Sequence, residues 1–225
     1  EGVGGKLSET QCDRLAVLAF LHDLGKCNAG FQAKRVARSP YTAGHVVEVG
    51  GLLRLCRHTP REFQCLLEEA TKWFKNGEDD LVPMLFATFS HHGRPLSEND
   101  LRTSPNLERW WKRTEELDPM QCVGEMAAAV KEAFPRAFQG LDAEPLAPSP
   151  SFQQRFAGLV MLADWIGSDA RQFPIDGAEL SARLSKAQQR ARQALEWIGL
   201  VTAPWQSWLA AQRLTFKAVF GREPY

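Results

Sequence analysis

The chain has 225 residues, of which 44% are hydrophobic, which is enough for one ordinary domain with a substantial core and argues against disorder. Its 27 basic and 27 acidic side chains cancel, so no global field marks a nucleic-acid binder and any phosphate-binding surface must be local. Five cysteines, Cys12, Cys27, Cys56, Cys65 and Cys122, lack a C-x-x-C spacing, which argues against a disulfide framework or a cysteine zinc cluster and for a reducing cytoplasm.

Apolar residues recur at helical spacing almost throughout, and strand-like alternation is hardly visible. Leu15, Leu18, Ala19 and Leu21 mark the first helix. The wholly apolar run over 15–21 falls far short of the roughly 20 residues a membrane helix requires, so no membrane partner is expected. Val46, Val49, Leu52 and Leu53 mark a second helix, and Phe63, Leu66, Leu67, Ala70 and Phe74 a third. Further helices are expected over 81–90, 106–117, 121–134, 152–166, 178–198 and 204–220. Turn signals separate them at Asn76-Gly77, Gly93 with Pro95, Pro119, Pro174 and Pro204. Residues 139–151 hold Pro145, Pro148 and Pro150 and read as a surface loop before the helix that carries Asp164. Arg183, Lys186, Arg190 and Arg192 give the 178–198 helix a basic flavour, which reads as a solvated face.

The chemistry-bearing residues stand at the ends of these helices. The run over 15–21 leads directly into His22-Asp23-Leu24-Gly25-Lys26. Adjacent helix positions differ by about 100°, so an imidazole and a carboxylate can splay from one turn toward two nearby ions, and mixed nitrogen and oxygen donors suit a borderline metal. Ser90-His91-His92-Gly93 follows another apolar stretch in the same manner, with Gly93 allowing the chain to turn away. His45 follows Gly44 at the start of an amphipathic helix, and Asp164 is embedded in an apolar helix, where an ionised group needs a cation or a hydrogen-bonding partner. Each has an ordinary reading by itself: a lone Asp caps or salt-bridges, and a lone His45 is more often a surface or satisfied core histidine. His58, just before Pro60, is explained by the helix dipole and is left out of the site. The order and company of all the segments lifts the combination above its parts.

That order resembles the HD superfamily of metal-dependent phosphohydrolases. Within it, the match is to the HD nuclease domain of the CRISPR type I effector nuclease-helicase. The resemblance is carried by His22-Asp23-Leu24-Gly25-Lys26 with Gly30-Phe31-Gln32, by Gly44-His45, by His91-His92-Gly93-Arg94-Pro95, and by Ala163-Asp164-Trp165-Ile166-Gly167-Ser168-Asp169. It implies an all-α HD-domain helical bundle, with a nuclease core over 1–175 and a helical extension over 176–225 that leads toward a helicase part. It further implies that His22, Asp23, His45, His91, His92 and Asp164 bind two divalent transition-metal ions such as manganese, iron, nickel or cobalt, with Asp23 the bridge. Lys26 would face the substrate phosphate, and Ser168 would bind a phosphate or support the ligands, although a helix-terminal Ser also reads as a cap. Phe31 and Gln32 read as structural, and Lys34, Arg35 and Arg38 as a solvated loop.

The implied activity is metal-dependent cleavage of single-stranded DNA, working with a helicase domain or subunit and an RNA-guided surveillance complex in the cytoplasm. No G-x-x-x-x-G-K-[ST] string occurs, so unwinding is expected from another domain or chain. The family pattern includes one more histidine before the HD pair, and none precedes His22. Either an upstream segment is missing or one metal position is impaired, and a start at Glu1 favours the first. Two other functions stay open: an HD phosphohydrolase acting on a nucleotide or cyclic nucleotide, and a non-catalytic recruitment module with an incomplete metal site.

Overall fold

Ser8 sets the start of the first helix. Its hydroxyl accepts from the Gln11 N–H at 3.1 Å while the Gln11 side chain accepts from the Ser8 N–H at 2.9 Å, so two donors that a helix start leaves orphaned satisfy each other's residues. The helix that follows, α1 (Glu9–Phe20), turns Leu15, Val17 and Leu18 inward. The computed structural model describes residues 6–35, 40–139, 144–174 and 180–200. Among them are ten α-helices and four 3₁₀ stretches, and the β-pairing is one isolated bridge between Phe74 and Leu146.

After α1 come α2 (Ala29–Gln32), α3 (Val49–Arg54), α4 (Arg61–Thr71), α5 (Glu78–Phe89), α6 (Glu98–Thr103), α7 (Pro119–Ala133), α8 (Pro135–Gln139), α9 (Pro150–Gly167) and α10 (Leu180–Trp197). The chain divides into two compact units, one ending at Trp165 and the other beginning at Ile166. In the first, α1 packs on α5 and α8, α4 packs on α5 and α7, and α7 closes over the 3₁₀ stretch Leu21–Cys27. Leu18, Leu21, Leu24, Leu52, Leu66, Met84 and Val123 are all essentially inaccessible and form one continuous core. Burial of that apolar surface, rather than helix propensity, holds these short helices together.

Two sequence expectations of the fold need correction. The helix expected over 106–117 is only a 3₁₀ stretch, Leu107–Trp111, after which Lys112 is extended and Thr114 and Leu117 form a turn closed by bonds of 2.8 and 3.0 Å. Tertiary packing overrides the local pattern there: Trp111 is buried, and its indole N–H donates to the Glu48 carbonyl at 2.7 Å, beside α3. Asp118 then caps α7, with Pro119 at the first helical position. The proline-rich segment before α9 is not only a surface loop. Leu146 is buried and exchanges backbone bonds of 2.8 Å with Trp73 and Lys75. The short α6, with a Ser97–Asp100 capping box and no buried residue, went unforeseen because it has no apolar periodicity to read.

The second unit holds the end of α9 and α10. Arg171 grips the Asp169 carboxylate at 2.8 and 3.0 Å and lies 5.7 Å from the centre of the Trp197 ring. Lys186 and Arg192 of α10 are exposed and Arg190 is half-buried, while the side chain of Arg183 lies outside the described residues. The expected helix over 204–220 lies outside the described residues.

Leu66 is the simplest probe of the main core. Leu66→Ala should lower stability by about 2–5 kcal/mol, read as a fall in the denaturant midpoint at unchanged slope. A loss below about 0.5 kcal/mol, the range of surface substitutions, would contradict the packing described.

Candidate metal centre

The HD pair does not lie on the helix proper. α1 ends at Phe20, and Leu21–Cys27 continues as 3₁₀, so His22 and Asp23 are separated by about 120° rather than the 100° of an α-helix. His22 Nδ1 lies 2.8 Å from the carbonyl oxygen of Ala19, one of the last carbonyls of α1. That bond places the proton on Nδ1 and turns Nε2, with its lone pair, inward. His91 repeats the arrangement after α5, with Nδ1 3.2 Å from the Thr88 carbonyl and the ring almost wholly buried. His92 follows and is exposed, and Gly93 turns the chain away with φ of 76°, a conformation that favours glycine.

His45 comes from the turn before α3, four residues ahead of the helix rather than at its start. Its backbone lies hard against the HD stretch: a Cβ on residue 25 would fall 1.7 Å from the His45 carbonyl oxygen, so only glycine fits. Buried Asn28 ties the same segments together, its Nδ2 donating to the Gly25 carbonyl at 2.7 Å and to the Gly44 carbonyl at 2.8 Å. Its Oδ1 accepts from Phe31 N–H at 2.8 Å and starts α2. Phe31 sets its ring edge-to-face on the His45 imidazole at 5.1 Å, and Gln32 donates to the Lys26 carbonyl at 2.7 Å. Glu48 holds the other side by accepting from Gly44 N–H at 2.8 Å.

Six residues from four segments therefore meet. His22 Nε2 is 3.2 Å from Asp23 Oδ2 and 3.4 Å from Asp164 Oδ1, and Asp23 Oδ1 is 3.4 Å from His45 Nε2 and 3.8 Å from His91 Nε2. His45 and His92 face each other through their Nε2 atoms at 2.9 Å. Two donor sets result, His22 with Asp23 and His91, and His45 with His91 and His92, and within each the donor atoms lie within 4.8 Å of one another. Octahedral neighbours on one ion, at nitrogen distances of about 2.05 Å, stand about 2.9 Å apart, so the spacing of the His45 and His92 nitrogens suits a shared cation.

The electrostatics also fit a cation. Burial pushes the Asp23 carboxyl up, but contacts with His22 and Lys26 outweigh it and hold the acid well below the usual carboxylate range. Burial pulls His45 down to about 4 and also lowers His91, whose proton is further disfavoured by His22. Burial would lower His22 too, but the neighbouring Asp23, the Ala19 carbonyl and Asp164 raise it overall. Three atoms here, His22 Nε2, Asp23 Oδ1 and His91 Nε2, are buried without a hydrogen-bond partner, so the close approach of His22 to Asp23 is an electrostatic contact rather than a directed bond. Each such orphan costs about 1–3 kcal/mol. A divalent ion among them would compensate all three at once.

Lys26 rests on Asp23 Oδ2 at 2.5 Å with its side chain 40% exposed. Ser168 belongs to the second unit. His58 is exposed at the end of a 3₁₀ turn. Lys34 and Arg35 are exposed, with the Lys34 ammonium 4.6 Å from the centre of the Phe31 ring, and Arg38 lies outside the described residues. Sequence reasoning missed Asn28 and Glu48. An Asn three residues ahead of Phe31 is legible as a helix cap, but its bonds to two distant carbonyls are not.

A helical domain that converges four histidines and two aspartates, with an adjacent His-Asp pair among them, defines the HD class. The family described as "Cas3, HD domain" matches residues 3–173, and the chain belongs to it, a CRISPR-associated family of metal-dependent HD nuclease domains. A solved structure titled "Crystal structure of CRISPR-associated protein" shares the fold, with 21% identity over 96% of this chain and a TM-score of 0.58. This chain spans 24% of the length of that protein. No curated protein matches the sequence.

Gly25→Ala tests the geometry. The added methyl meets backbone rather than a flexible side chain, so stability should fall by about 3 kcal/mol, the upper end of overpacking effects. Thermal and denaturant unfolding of the variant check this, and an unchanged midpoint would contradict the close approach of residue 25 and His45.

Proposed function

We propose that this domain cleaves single-stranded DNA, with His22, Asp23, His45, His91, His92 and Asp164 holding two divalent transition-metal ions. The observation that carries the reading is the set of three buried, unpartnered donor atoms that face one space in a domain of this family. Bound there, manganese, iron, nickel or cobalt ions would supply a water of lowered pKa and neutralise charge on the phosphoryl oxygens.

Asp23 is the better candidate for the shared ligand. His91 belongs to both donor sets by distance, but its Nδ1 is committed to Thr88 and one lone pair remains. A carboxylate has two oxygens, and those of Asp23 face different partners, Oδ1 toward His45 and His91 and Oδ2 toward His22. Lys26 keeps a charged donor beside Asp23, where it can turn to a substrate phosphate and stabilise charge as the P–O bond breaks. Ser168 is assigned a phosphate-binding or ligand-supporting role on the resemblance alone.

A strand is favoured over a free nucleotide because the cluster reaches the surface at His92, which is exposed. The presence of all six in one cluster favours catalysis over a recruitment role. We assign the nuclease core to 1–175 and a helical extension to 176–225, with a helicase part and an RNA-guided complex as partners in the cytoplasm.

The test is cleavage of circular single-stranded DNA by chelator-stripped protein after adding back manganese, nickel, cobalt or zinc. Cutting should return with metal, and Asp23→Ala should lower the rate by at least about 100-fold, since even residues that only support ligands cost 10–100-fold. A folded protein that cuts no circular strand with any metal, yet hydrolyses nucleotides, would overturn the assignment.

A further inference from the structure

Three sulfur atoms meet where the HD stretch ends. Cys27 Sγ lies 2.7 Å from Cys122 Sγ and 3.3 Å from Met126 Sδ, and Cys122 and Met126 are one turn apart on α7. Cys27 is buried and closes Leu21–Cys27, which carries His22 and Asp23, whereas Cys122 is half-buried and open to small reagents. A disulfide is about 2.05 Å long, so a movement of less than about 1 Å would join the two sulfurs. The packing of α7 on the HD stretch already holds them together.

We propose that Cys27 and Cys122 form a reversible disulfide when the protein meets a hydroperoxide, fastening the HD stretch to α7. Cys122 is the attacking sulfur. Its thiol is lowered by the hydrogen bond with Cys27, while that bond and burial raise Cys27, so the thiolate forms on the accessible residue. The Cys122 thiolate attacks the terminal oxygen of the hydroperoxide. An S–O bond forms, the O–O bond breaks, and the leaving alkoxide or hydroxide takes a proton, which leaves Cys122 as the sulfenic acid. Cys27 then attacks Cys122 Sγ. The S–S bond forms, the S–O bond breaks, and the departing hydroxide leaves as water with the Cys27 proton. Two thiols give up two electrons, and the hydroperoxide is reduced to water and an alcohol or a second water. A dithiol reverses the reaction by exchange.

The experiment exposes chelator-treated protein to hydrogen peroxide, then counts thiols after denaturation and maps peptides. Two of the five thiols should be lost, a peptide pair joining Cys27 and Cys122 should appear, and the thermal midpoint should rise. Dithiothreitol should restore all of these, and Cys122→Ser should form no linked peptide and leave Cys27 a thiol. The proposal is overturned if Cys122 oxidises on to sulfinic acid while Cys27 stays reduced. It is equally overturned if no thiol is lost, or if the linked pair involves other cysteines.

Discussion

The carbonyl oxygen of His45 lies where any side chain on residue 25 would begin. Two segments that are distant in sequence can share that space only if one of them is glycine, and the rest of the site depends on the contact. It brings the turn before α3 onto the HD stretch, and Asn28 secures it by donating to a carbonyl on each side. Buried amide bonds of this kind have no water to compete with them, so breaking one leaves a desolvated carbonyl behind. Phe31 and Glu48 then fix the turn from either side, one on the ring and one on the backbone. His45 is aimed by packing and hydrogen bonds rather than by a helix of its own.

His22 and His91 are aimed by a different and repeated device. α1 ends at Phe20 and α5 at Phe89, and in each case the histidine is two residues further on and bonds a carbonyl three residues back. The last carbonyls of any helix lack intrahelical donors. Here a ring N–H satisfies one of them, and the imidazole gains a fixed tautomer and direction from the same bond. This supporting bond is what keeps Nε2 free for a ligand role, the pattern expected around metal-binding imidazoles.

Much of this was legible because helix ends are written in local sequence. The apolar run into His22-Asp23 and the apolar stretch into His91-His92 both located a donor pair at the right end of a helix. The geometry of the ends was not legible. The change from α to 3₁₀ at Leu21 depends on the packing of Leu21, Leu24 and Cys27 against α1, α5 and α7, which periodicity does not encode. The same holds for Trp111, whose bond to Glu48 ends a helix that its own segment would have continued, and for Leu146, which draws a proline-rich segment into the core. Gly25 and Asn28 show the limit most clearly. Gly25 stands in the quoted motif and Asn28 just beyond it, yet their function is a contact with residues 44 and 45, and no local pattern names those partners.

The energetic tension left in the site explains why its parts belong together. Packing determines that three donor atoms are buried without partners, and helix-end bonds determine that two of them cannot turn away. Asp23 finds partial relief in Lys26, but that ammonium bonds Oδ2 and leaves Oδ1 and the two imidazole nitrogens without a hydrogen-bond partner. A fold that accepts such a deficit stores it as affinity for whatever cation satisfies all three atoms. Because the deficit exists only when the segments have come together, binding of that cation and folding of the site are one equilibrium, and metal affinity appears as stability. The protein thus buries polar atoms where a divalent ion would compensate them, and the same burial disfavours the protonated forms of His45 and His91.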